Sequence, residues 1–228
     1  TLPITTNDNK PEGLITLKRL AMANMDSLDP HAVSNACTPI ANIVETLHGT
    51  LITGDHDMIL DQGKIVIAAG SPEAMENMVD PGDIVLVANR YEAQLCAIEL
   101  EAACLVVCMT PKIAKTIIKI AKEHDCTVIS TPYDTYAASC LINQSIPIRH
   151  PMAKAMISFQ LDTPIEEAKK IMGRVRHNYF PVMDKQGYYQ GVISRRNLLN
   201  LQRKQLVLVD HNEKTQCVDG FEEAEILE

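Results

Sequence analysis

Ser194-Arg195-Arg196-Asn197 sets a hydroxyl, two guanidinium groups and an amide on four consecutive residues. The apolar run Tyr188 to Ile193 leads into them, and Leu198, Leu199 and Leu201 follow at a spacing that suits a helix. A hydroxyl at a helix start can accept from a free backbone N–H of the first turn, so Ser194 is a candidate N-cap. The unpaired N–H groups and partial positive charge of a helix start attract anions, and two adjacent arginines strengthen that. The chemistry implied is phosphate binding. Taken alone, the string reads more simply as a basic first turn on a surface helix. A second chemistry-bearing string is Leu206 to Glu213, LVLVDHNE. There an apolar run delivers Asp210, His211 and Asn212 at its carboxyl end, where α/β sheets place their sites. Asp210 is thus a candidate metal ligand. Gly54-Asp55-His56-Asp57 has similar groups, but beside a glycine and without a partner cluster it reads as a solvated turn.

The elements that must position these residues recur. Tyr179 to Met183 and Tyr188 to Ile193 are short apolar runs flanking Asp184-Lys185-Gln186-Gly187, which predicts a β-hairpin. Near the amino end, Leu2-Pro3-Ile4 stands where Phe180-Pro181-Val182 stands, and Gly13-Leu14-Ile15-Thr16 where Gly191-Val192-Ile193-Ser194 stands. This is an internal repeat, and it outweighs any single motif. The second copy also has an upstream half. Met156 to Phe159 predicts a strand, Asp162-Thr163-Pro164 a helix start, and Ile165, Ala168, Ile171 and Met172 an amphipathic helix. The first copy lacks that half, and the chain begins at Thr1-Leu2-Pro3 without an initiator Met. A piece of a longer protein is expected.

The unit strand–helix–strand–strand–helix resembles a CBS (cystathionine-β-synthase) domain, whose repeats pair to form adenine-nucleotide clefts. That family's signature, Gly-apolar-apolar-Ser/Thr-x-x-Asp/Asn, is matched by Gly191 to Asn197. The resemblance implies a phosphate contact for Ser194 and a ribose contact for Asn197. In the first copy Thr16 matches, while Arg19 stands at the Asp/Asn position and could meet a phosphate. The implied site comprises Thr16, Lys154, Ile157, Asn178, Tyr179, Phe180, Val192, Ile193, Ser194, Arg195 and Asn197. Tyr179 and Phe180 are adjacent on one strand and face opposite sides, so one of them is expected in the core.

Between the copies, residues 29–48 predict linker helices, and from Gly49 strands alternate with helices. Ile65 to Gly70, Asp83 to Ala88, Cys104 to Cys108 and Cys126 to Ile129 are Val- and Ile-rich strand candidates. Helices are expected at Pro72–Met78, Tyr91–Glu101 and Pro111–His124. This pattern argues for an α/β layer with both sheet faces covered. An α/β insert of this length between CBS repeats resembles a DRTGG domain. Its namesake residues would fall at Asn89-Arg90 and Thr110-Pro111, without the Asp and both glycines, so a dimerising or spacing domain without a ligand is expected. The fold class expected is α/β, an α+β CBS pair carrying an inserted α/β DRTGG domain. The parts are residues 1–28 (the end of the first CBS repeat), 29–48 (linker), 49–146 (DRTGG-like), 147–203 (second CBS repeat) and 204–228 (a resumed further domain).

Composition sets the outer limits. A chain of 228 residues with 46% hydrophobic and only 4% aromatic residues can build a core from Ile, Val, Leu, Ala and Met. A formal charge of −8 argues against nucleic acid as the partner. No apolar run reaches membrane-span length. Seven cysteines, several inside apolar runs, fit free thiols in a reducing cytoplasm better than a disulfide framework.

The string Val-Asp-His-Asn-Glu at 209–213 resembles the second metal-ligand motif of the family II inorganic pyrophosphatases, of the DHH phosphoesterase group. The resemblance implies that Asp210 bridges two manganese ions in a whole enzyme, some members of which carry a CBS–DRTGG–CBS insert just before this motif. The other ligands of such a site are not in the chain, so these 228 residues are expected to hydrolyse no diphosphate alone. The resemblance further implies AMP and ADP as inhibitors, ATP or diadenosine polyphosphate as activators, and a homodimer. Two other readings stay open: a CBS nucleotide sensor serving another effector, and a structural dimerisation module with empty clefts.

Overall fold

The computed structural model describes residues 2–25 and 29–200, together with the backbone of strands at 206–209 and 215–218; the side chains of residues 24, 25, 197, 199 and 200 fall outside that description. The chain divides into two compact units, one of Thr1–Leu17 with Met152–Glu228 and the other of Lys18–Pro151.

The first unit opens with an antiparallel hairpin of β1 (Leu2–Thr5) and β2 (Pro11–Ile15). Asn9, at φ 59, turns the tip, where Thr6 and Lys10 are hydrogen-bonded. Helix α1 (Leu17–Met25) follows directly.

The second unit is an α/β layer. Its elements run α2 (Ala32–Asn35), β3 (Thr38–Pro39), α3 (Ile40–Thr46), β4 (Thr50–Thr53), β5 (Ile59–Leu60), β6 (Ile65–Ile67), α4 (Pro72–Met75), β7 (Ile84–Val87), α5 (Tyr91–Glu99), β8 (Cys104–Cys108), α6 (Lys115–Glu123), β9 (Thr127–Thr131) and α7 (Thr135–Leu141), closed by a 3-10 turn at Ile142–Ser145. The five-stranded sheet has the order β4-β9-β8-β7-β6; β6 to β9 are parallel and β4 is an antiparallel edge. Every residue of β7, β8 and β9 is buried, as expected of parallel strands covered on both faces.

The period-2 alternation of these strands sorts the core into two layers. Val85, Val87, Leu105, Val107 and Val128 pack with Ala93, Ala97 and Ile98 of α5 and Ile117 and Ala121 of α6. Ile84, Leu86, Cys104, Val106, Cys108 and Ile129 pack with Ile40, Ile43 and Leu47 and with Ala138 and Ile142. Each large aliphatic side chain so buried stabilises the unit by about 1.5–3 kcal/mol before entropy. Residues 29–48, expected as linker helices, are therefore core: the apolar spacing read as a bridge is the inner face of α2 and α3. Burial pushes the Cys104 thiol up and the Cys126 thiol up to about 12, so both are inert.

The chain then completes the first unit. Strand β10 (Phe159–Gln160) pairs parallel with β11 (Tyr179–Met183), which pairs antiparallel with β12 (Tyr189–Ser194). Helix α8 (Ile165–Arg174) intervenes and α9 (Arg195–Asn200) follows. The strand expected over Met156 to Phe159 is only two residues long, because residues 154–158 make no ladder. Phe159, Ala168, Met172, Phe180 and Leu198 form a small core. Beyond it, β13 (Leu206–Val209) and β14 (Thr215–Val218) pair as a hairpin. Among the described residues no helix is long and apolar enough to cross a membrane.

Candidate functional site

The two hairpins of the first unit superpose residue for residue. Leu2 pairs with Ile15, Pro3 with Leu14, Ile4 with Gly13 and Thr5 with Pro11. Phe180 pairs with Ile193, Pro181 with Val192, Val182 with Gly191 and Met183 with Tyr189. Both ladders slip by one residue at the same step, between Ile4 and Thr5 and between Val182 and Met183. A bulge that recurs in register marks a true repeat. It brings Thr16 and Ser194 to the same place, the junction where a strand turns into a helix.

Contacts of Asn9 and Lys10 tie the hairpins together within the unit, and Leu14 ties the first hairpin to the stretch before β10. Asn9 receives a hydrogen bond from the Tyr189 N–H and donates its own amide to the Tyr189 carbonyl, at 2.8 and 2.9 Å. Lys10 Nζ stands 6.0 Å from the Tyr188 ring centroid, in cation–π range. Leu14 and Ala153 exchange two backbone hydrogen bonds as an isolated bridge. Gly13 is required there, since a Cβ would lie 2.8 Å from the Ala153 carbonyl oxygen. Lys154, exposed, follows that bridge directly.

The second hairpin's tip is held by Asp184. Its carboxylate accepts from the Gln186 and Tyr188 N–H groups and from the Gln190 amide, while Gly187 takes φ 85. Those bonds, the Tyr188 N–H foremost, hold the Asp184 carboxyl below the usual carboxylate range.

Cross-strand pairing sorts the expected adenine contacts onto two faces. Phe180 and Ile193 share the face toward α8, where Phe180 is 0% exposed and Ile193 packs against the core. Ile157 also packs against it. Phe180 was a candidate ligand contact and is instead the centre of the core, in ring contact with Phe159 at 5.3 Å. The opposite face carries Tyr179, Val192 and Ser194, with Tyr179 41% and Val192 42% exposed. Asn178, exposed, accepts the Arg195 N–H at its carbonyl.

Arg195 departs from its expected role. Its guanidinium donates to the carbonyls of His177, at 2.7 Å, and of Met172 and Val175. It therefore caps the end of α8, satisfying carbonyls that a helix terminus leaves open. Arg196 is the exposed member of the pair. The Asn197 side chain and Asp210 lie outside the described residues, and among the described residues no group of three His, Cys, Asp or Glu could hold a metal. Arg19, in the second unit, donates to the Pro151 carbonyl at 3.2 Å. Asp55 and Asp57 lie in an exposed turn, with Asp55 accepting the Asp57 N–H.

One feature of the second unit went unread in the sequence. A cleft of about 490 Å³ opens at the carboxyl ends of β8 and β9, lined by His48, Thr50, Met109, Thr110, Pro111, Ser130, Thr131 and Pro132. The available signal was the switch from apolar to hydroxyl residues at the end of Thr127-Val128-Ile129-Ser130-Thr131.

Comparison with known proteins extends this geometry. The DRTGG domain family matches residues 42–145, and the CBS domain family matches residues 146–204. A crystal structure of the CBS and DRTGG domains of the regulatory region of Clostridium perfringens pyrophosphatase, complexed with the activator diadenosine tetraphosphate, is similar at 30% identity with a TM-score of 0.79, covering 85% of each chain. The chain belongs to the CBS–DRTGG regulatory regions of inorganic pyrophosphatases. Among whole proteins of this kind, a cobalt-dependent inorganic pyrophosphatase of Clostridium perfringens is 32% identical over all of this chain, and a probable manganese-dependent inorganic pyrophosphatase of Thermotoga maritima is 29% identical over 227 residues. The chain spans 42% and 41% of those two relatives, respectively. In this regulatory-region family the fold is mixed α/β, as the residue pattern predicts.

Proposed function

We propose that this region binds adenine nucleotides and controls a manganese- or cobalt-dependent enzyme that hydrolyses diphosphate to two phosphates. The observation that carries the reading is the register-for-register repeat, which sets a hydroxyl at the same strand-to-helix junction in both copies. Further support comes from the similar Clostridium perfringens region, whose structure holds diadenosine tetraphosphate as activator.

The nucleotide lies on the open face of the second hairpin, its adenine against Tyr179 and Val192. Ser194 and Thr16 meet phosphate, with Lys154 nearby and Asn197 at the ribose. Charge-assisted hydrogen bonds of this kind contribute about 1.5–3 kcal/mol each. Arg195 acts from behind, holding the end of α8 against the strand that carries Tyr179. AMP and ADP inhibit, and ATP or diadenosine polyphosphate activates. The sign follows from which of two states each ligand binds more tightly. In the whole enzyme Asp210 would help to hold the metal, which would supply Lewis-acid chemistry toward diphosphate. In this reading the region pairs as a homodimer in a reducing cytoplasm, a setting that suits the buried free thiols of Cys104, Cys108 and Cys126.

Calorimetric titration of the chain with AMP and with diadenosine tetraphosphate tests the reading. Saturable binding of both, weakened in Tyr179→Ala, is expected; the absence of saturable heat with either ligand would overturn it.

A further inference from the structure

The tips of the two hairpins share one set of hydrogen bonds. At the first, the Thr6 N–H donates to the Lys10 carbonyl, the Asn9 N–H to the Thr6 carbonyl, and the Lys10 N–H to the Thr6 hydroxyl. At the second, the Asp184 N–H donates to the Tyr188 carbonyl, the Gly187 N–H to the Asp184 carbonyl, and the Tyr188 N–H to the Asp184 carboxylate. Asn9 and Gly187 therefore hold the same place, and both take a positive φ, 59 and 85. Glycine adopts that backbone without strain, and asparagine is one of the few other residues that tolerates it. What asparagine adds is its amide.

That amide reaches out of its own hairpin. Its Nδ2 donates to the Tyr189 carbonyl at 2.9 Å, while the Asn9 carbonyl accepts the Tyr189 N–H at 2.8 Å. One residue of the first tip thus engages both backbone polar groups of the residue that heads β12. Lys10 adds its contact with the Tyr188 ring. The clamp is one-sided. Gly187 has no side chain with which to reciprocate, and Pro11, at the register position of Tyr189, has no N–H to offer.

From this clamp β2 and β12 run to the two strand-to-helix junctions, one ending just before Thr16 and the other at Ser194. The run from Tyr189 to Ser194 spans about 17 Å of strand. Movement at the clamp is magnified over that length. A turn of about 5° there carries a junction roughly 1.5 Å, enough to break a hydrogen bond.

We infer that Asn9 is a positioning residue for nucleotide binding: by holding the head of β12 against the first tip, it sets the spacing of Thr16 and Ser194 before ligand arrives. The inference rests on the reading that both hydroxyls meet phosphate. Preorganisation of this kind lowers the ordering cost of binding, so the clamp acts on affinity without touching the ligand.

Titration calorimetry of the whole 228-residue chain with AMP tests this through a cycle of Asn9→Gly, Thr16→Val and the double variant. Asn9→Gly copies the residue of the second tip, so the turn is kept and only the amide is lost. It should weaken AMP binding roughly two- to tenfold in the native background and leave affinity unchanged where Thr16 is already replaced. Lys10→Gln, which leaves the turn intact, should show the same dependence with a smaller loss. An equal loss for Asn9→Gly in both backgrounds would mark a general loosening of the unit and overturn the positioning role, as would no loss in either. A native chain that binds no AMP would overturn the nucleotide reading itself, and the role of the clamp with it.

Discussion

The two hairpins of the first unit share a register, a bulge and a hydroxyl at the strand-to-helix junction, yet one pair of equivalent side chains has opposite fates. Leu2 is 64% exposed, while Phe180 at the same register position is fully buried. The second hairpin is backed by α8, whose Ala168 and Met172 close over Phe180 together with Phe159. Leu2 belongs to no core cluster among the described residues. Hairpin geometry is therefore a local property, fixed by turn chemistry and strand pairing, whereas burial is conferred by the helix laid across it. The second copy is the one whose sequence carries Ser-x-x-Asn, at Ser194 to Asn197.

The largest expected effect tests that contrast directly. Phe180→Ala should destabilise its unit by about 3–5 kcal/mol, as large-to-small core changes do. Leu2→Ala should stay within about 0.5 kcal/mol. Urea denaturation followed by a probe in the first unit reads both, and equal losses would mean that the hairpins are not differently supported.

A smaller effect sharpens the role of the second tip. The Asp184 carboxyl is held below its ordinary value, so its contribution is full above the unfolded pKa of about 3.9 and fades as pH falls through the lowered folded value. Because the group is solvent-exposed, the effect is small. Thermal melts of the protein and of Asp184→Asn should differ at neutral pH and converge in acid. Parallel curves at all pH values would show that Asp184 does not anchor the turn through its charge.

Much of this was legible in the residues themselves. The repeat could be read because Gly-apolar-apolar-hydroxyl recurs with the same upstream Pro, and those residues set register and bulge locally. The strands of the second unit could be read because parallel strands buried on both faces must be continuously apolar, as Ile84–Val87 and Cys104–Cys108 are. What escaped was long-range. Which of Tyr179 and Phe180 turns inward depends on the position of α8, 165–174, and alternation alone says only that they differ. Arg195 read as a phosphate ligand because its neighbours are, but the carbonyls it caps lie about 20 residues upstream. Residues 29–48 looked like a linker because nothing local reveals that their apolar face meets β7, β8 and β9. The cleft was missed because its walls come from three stretches far apart in sequence, at 48–50, 109–111 and 130–132.

The central claim is that the strand-to-helix junction of the second hairpin holds nucleotide phosphate, with the first as its lesser partner. Titration calorimetry of AMP against the native chain, Ser194→Ala and Thr16→Val tests it most directly. The account predicts that Ser194→Ala weakens binding by about 1.5–3 kcal/mol, roughly ten- to a hundred-fold, with a smaller loss for Thr16→Val. Unchanged affinity in Ser194→Ala, in a variant that still melts like the native chain, would contradict it.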